Sequence, residues 1–106
     1  MGKTISEPMS QLENQLAAEL AAVAWRDLVS HARRDALIVV SESLDLLEVG
    51  SAIAGDQVPL VQDWISSKLI FKPTTEDLGN WNLTPDKLFN TLIVQPFVLV
   101  QLRDQI

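Results

Sequence analysis

The run from Thr91 to Leu102 constrains this chain more than any other segment. Eight of its twelve residues are Leu, Ile, Val or Phe, a composition that favours a strand over a helix. Strand side chains alternate between faces, and here Ile93, Gln95, Phe97, Leu99 and Gln101 share one face. Leu92, Val94, Pro96, Val98, Val100 and Leu102 share the other. Both sets are largely apolar, so the segment reads as buried on both sides. Pro96 lacks an amide proton and marks an edge position, a bulge or a bend. Gln95 and Gln101 would need amide partners if buried. A small domain can cover such a strand in two ways. Its own helices sandwich the sheet, or a second copy covers it or pairs with it across a two-fold axis.

The remaining pattern supplies helices. With 106 residues, one domain is expected, here residues 10–106 after a tail over 1–9 that ends at Pro8. Ser10 and Glu13 form a capping-box pattern. Leu12, Leu16, Leu20 and Val23 follow at helical spacing, predicting a helix from Ser10 to Ala24. Trp25, Leu28 and Val29 extend its stripe to about Arg33. Ala36 to Val40 is short, apolar and β-branched, a buried strand. Helices are predicted over Leu44 to Ala54, capped by Ser43, and over Gln57 to Lys68, with Pro59 in the first turn. Gly55 and Asp56 separate them. Val61, Trp64, Ile65 and Leu69 form the apolar face of the second. Gly50 permits close packing, under Trp25 or Trp64. Leu69 to Lys72 is a strand stopped by Pro73. Thr74 caps a short helix from Thr75 to about Trp81, with Asp77 near its start. Thr84 and Pro85 offer a further start for a turn or two.

The order is helix, strand, helix, helix, strand, short helical insert, strand. It predicts an α+β fold of winged-helix-like order with a small antiparallel sheet. Ala54 and Gly55 stand where a helix-turn-helix places a small residue and a turn glycine. Asp56 departs from that pattern, which is usually apolar there.

Several stretches resemble a known family. They are Trp25 to Leu28, Leu44 to Gly50, Asp63 to Ile65, Leu69 to Ile70, Lys72 to Thr74 and, most specifically, Leu92 to Gln101. Together they resemble the small bacterial family called domain of unknown function 2288, well represented in cyanobacteria. The likeness spans roughly residues 12–101. It implies a cytosolic prokaryotic domain and brings no activity, ligand or catalytic residue with it.

Charge narrows the partners. Fourteen acids against eight bases leave a net charge of −6, which repels nucleic-acid backbones and anionic membrane surfaces. The chain has no cysteine, so disulfides and thiolate chemistry are excluded. No apolar stretch approaches the roughly 20 residues of a spanning helix, and the first residues lack a signal-peptide core. A cytoplasmic location is expected.

From Glu42 to Ser67 there are five acids and no base, where a DNA-reading helix pair needs Arg or Lys. Nucleic acid is therefore disfavoured. The alternative, a winged-helix regulator, would rely on Arg33, Arg34, Lys68 and Lys72. His31 is the one histidine. With Asp27 four residues before it, it offers the only general-base arrangement an enzyme reading could use. Asp45 and Glu48 are read as helix-dipole compensation and a solvent-facing acid or arginine partner. No glycine-rich phosphate loop or hydrolase motif occurs. Trp25 and Trp64 continue apolar stripes and read as core. Trp81, between Asn80 and Asn82, reads as an exposed contact. The expectation is a non-catalytic interaction module with a protein partner or as a homodimer. Its candidate contacts are Trp81, Arg33, Arg34, Gln95 and Phe97, and no cofactor or metal is expected.

Overall fold

The computed structural model describes residues 20–102. The predicted tail, the capping box at Ser10 and Glu13, and the helix up to residue 19 lie outside the described residues. From residue 20 the chain runs through β1 (Ala21–Ala24), a 3-10 turn (Trp25–Asp27) and α1 (Val29–Arg33). It continues through β2 (Leu37–Val40), α2 (Leu46–Ala54), α3 (Val58–Ser66) and β3 (Ile70–Phe71). Then come α4 (Thr75–Asn82), β4 (Leu88–Val94) and β5 (Phe97–Leu102). The class is α+β, as expected.

The strands form one sheet in the order β1-β4-β5-β2-β3. The segment 91–102 is not one strand but most of a hairpin. Val94 pairs with Phe97, and Gln95 and Pro96 form the turn, joined by a cis peptide bond. Pro96 cannot donate to a ladder, so the chain reverses where the proline falls. The hairpin puts β5 at the centre of the sheet, antiparallel to β4 and parallel to β2. A mixed sheet thus replaces the small antiparallel one.

Ala21 to Ala24 pair with β4 as an antiparallel strand rather than ending a helix. Alanine favours helix intrinsically, but β4 offers an unpaired edge, and Val23 sits opposite Phe89 in the sheet. Pairing and packing override the weaker local preference. Thr84 and Pro85 start no helix. They make a turn that closes with the Lys87 amide donating to the Thr84 carbonyl.

Both faces of the sheet are covered by this chain. On one, α2 and α3 bring Leu46, Val49, Ala52 and Trp64 onto Val40, Ile70, Leu92, Val94 and Leu99. On the other, the 3-10 turn, α1 and α4 bring Trp25, Leu28 and Trp81 onto Leu37, Val39, Phe89, Val98 and Val100. The double burial read from 91–102 is thus met within the chain, helix layers taking both sides.

Local chemistry fixes the helix ends. Asp45, not Ser43, caps α2, accepting from the Leu47 amide at 3.0 Å. Thr74 and Asp77 complete a reciprocal capping box on α4, both bonds at 3.0 Å. Pro59 falls in the first turn of α3. Between α2 and α3 the left-handed residue is Asp56, with φ 57°, while Gly55 stays at −92°. Asp tolerates that conformation better than a bulky apolar residue, which accounts for an acid at the turn between α2 and α3. Gly50 faces Leu92 rather than a tryptophan. A Cβ there would stand 2.5 Å from Leu92 Cδ2, so the missing side chain lets α2 lie close on β4.

Candidate functional site

The predicted contact residues do not converge. Trp81 is buried, at 8% exposure, which corrects the expectation of an exposed contact. Its ring centroid lies 5.1 Å from Trp25 and 5.0 Å from Phe89, the latter edge-on. The flanking Asn80 and Asn82 are exposed. Asn80 therefore marks the outer face of α4, and the tryptophan its inner face. Gln95 is exposed at the hairpin turn, and Phe97 is half-buried against the α2–α3 core. Gln101 finds its amide partners within the chain. Its Nε2 donates to the carbonyls of Ser41 at 2.9 Å and Leu44 at 2.7 Å.

Arg33 and Arg34 are exposed where α1 ends. Arg34 Nη2 donates to His31 Nδ1 at 2.6 Å. A guanidinium has no acceptor, so the imidazole nitrogen accepts. His31 is therefore paired with Arg34 and not with Asp27. Lys72 reaches the same corner, its Nζ 2.6 Å from the Asp35 carboxylate. Lys68 stands on the other side of β3, in a left-handed turn residue with φ 62°. The four cations of the DNA reading are thus divided, and one is held by an acid. Arg26 pairs with Asp86 across the turn before β4. Among the described residues, no group of three or more His, Asp and Glu side chains is placed to hold a metal. No described helix is long and apolar enough to cross a membrane.

The feature that sequence reasoning missed is an uncovered apolar track on α3. Val58 is 52% exposed and Ile65 55%. With Ile53 and Val61 they line a groove of about 300 Å³ edged by Asp56, Gln57 and Gln62. Ile65 also lines a second hollow of about 280 Å³ with Ile38, Ile70 and Phe71, ending at Lys72. The two hollows meet at Ile65, so the track runs from the α2–α3 turn to the β3 edge. The signal was present in the sequence. Val58, Val61, Trp64 and Ile65 make a stripe wider than one contact with a sheet consumes. Trp64 is buried in the core and Val61 partly so, whereas Val58 and Ile65 stay in solvent.

A family model described as Protein of unknown function (DUF2288) matches residues 11–102. A solved structure, the NMR solution structure of PA1075 from Pseudomonas aeruginosa, is 32% identical. The alignment covers 98% of this chain and 95% of that one, with a TM-score of 0.76. No curated protein matches. The chain belongs to the family of proteins of unknown function DUF2288.

Proposed function

We propose that this family member is a non-catalytic protein-interaction module that docks its partner on α3 and the β3 edge. The observation that carries this reading is Ile65, a large aliphatic side chain 55% exposed at the junction of two apolar hollows. Contiguous exposed apolar surface of this kind, edged by polar groups, is a common mark of a docking face. The partner is a segment with an apolar face flanked by Lys or Arg. Residues 42–67 hold five acids and no base, and that field favours a basic partner. A second copy of this chain, itself at −6, fits the face less well.

The test is site-specific photo-cross-linking in cells, with the reactive residue at position 65 and, as a control, at position 80. Discrete adducts are expected from position 65 and none from 80, and they should disappear with Val58→Asp. That substitution changes an exposed position and should leave unfolding unaltered. Adducts that are the same from both positions would overturn the reading. An adduct of the chain with itself would replace the foreign partner by a homodimer and refute the charge argument.

A further inference from the structure

On the opposite face of the sheet, α1 and α4 leave a cleft of about 500 Å³ lined by Trp25, Val29, Ala32, Arg33, Leu78 and Asn82. We propose that this cleft is a binding site for a small organic carboxylate with an apolar tail. The proposal is independent of the docking face on α3.

The lining divides cleanly by chemistry. Val29, Ala32, Leu78 and the indole of Trp25 are apolar, and among the described residues the one charge on the wall is the Arg33 guanidinium. Among the described residues no acid lines the cleft, in a chain whose acids outnumber its bases. The neighbouring cations are engaged elsewhere, Arg34 with His31 and Lys72 with Asp35. Among the described residues, Arg33 makes no ion pair. A planar guanidinium at the mouth of an apolar cleft suits a carboxylate, which it can grip with two parallel N–H bonds.

Asn82 supplies a second donor. Its Oδ1 accepts from Trp25 Nε1 at 2.8 Å. With the carbonyl oxygen used, the amide NH₂ is the group left to meet a ligand on that wall. The same bond fixes the indole, which is also wedged against Trp81 and Phe89 at centroid distances of 5.1 and 6.0 Å. The floor is therefore preorganised, and binding need not order it. The cleft volume falls in the range of ordinary small-ligand pockets, about 300–1,000 Å³.

The test uses the full chain labelled with nitrogen-15 and three probes. Phenylacetate carries both the charge and the tail, acetate only the charge, and phenylacetamide only the tail. Phenylacetate should give saturable shifts at the Trp25 indole N–H and the Asn82 side-chain amide. Acetate and phenylacetamide should bind at least about tenfold more weakly. Arg33→Gln should weaken phenylacetate by about tenfold or more. The free variant should keep the Trp25 indole resonance in place, which separates lost binding from lost folding. No saturable shift at millimolar phenylacetate would overturn the proposal. Equal binding of phenylacetate and phenylacetamide, or an unchanged affinity in Arg33→Gln, would also overturn it.

Discussion

Gly50 and Ser51 are neighbours on α2, and the sheet beneath them treats them oppositely. Position 50 has no room. A Cβ would sit 2.5 Å from Leu92 Cδ2, and Leu92 is fully buried, so it has nowhere to retreat. Gly50→Ala would gain helix propensity of about 1 kcal/mol but meet an overpacking cost of about 1–3 kcal/mol. The clash should win, with a net loss of about 1 kcal/mol. Position 51 has an excess atom. Ser51 is 2% exposed, and its Oγ has no hydrogen-bond partner among the described residues. Ser51→Ala removes that desolvated hydroxyl and improves the helix former, so stability should rise by about 0.5–1 kcal/mol. Urea denaturation reads both variants. The midpoints should move in opposite directions at constant slope, and a stabilised Gly50→Ala would show that α2 can lift off β4.

Among the elements, α4 shows how a short polar helix holds its place. Its capping box satisfies two otherwise free amides, and Trp81 anchors it beneath. Thr74→Ala should cost about 1 kcal/mol. Trp81→Ala should cost more, about 3–5 kcal/mol, because it empties the middle of the Trp25–Trp81–Phe89 cluster. Near-equal losses in thermal unfolding would mean that the cap and not the tryptophan fixes the helix. These elements were also the legible ones. Thr74 with Asp77, Pro59 in the first turn of α3, and the β-branched run of β2 carry their signals locally, in side chains that bond or pack within a few residues. Where the partner lies far along the chain, the local signal misleads. Ala21 to Ala24 look helical until β4 is there to pair with them. The segment 91–102 looks like one strand because both halves of its hairpin are equally apolar. Trp81 looked exposed because its neighbours are. The α3 track was visible as a wide stripe, but only the packed fold shows which half of the stripe the sheet leaves over. The cleft at Arg33 joins α1 to α4, which stand far apart in sequence with β2, α2, α3 and β3 between them, and no local pattern announces it.

At the scale of the molecule, the two sides of the sheet are built differently. One carries an acidic helix pair with an apolar track, and the other an aromatic cluster beneath Arg33. All three tryptophans are buried within these layers. Tryptophan emission should therefore lie to the short-wavelength side of the free amino acid, resist acrylamide, and shift red in one unfolding transition. A readily quenched component in the native protein would show that one tryptophan is not packed. The order of the strands carries a different consequence, one of timing. Before β4 and β5 exist, β1 has no partner, and β2 has only the two residues of β3. The helices that precede them have no finished surface on which to rest. During synthesis the helices of both layers would thus emerge before either core could close. When the β4–β5 hairpin clears the exit tunnel, it joins β1 to β2 and gives both helix layers their sheet. Until then the nascent chain exposes its apolar stripes, and it depends on the speed of that final closure to avoid association with other chains.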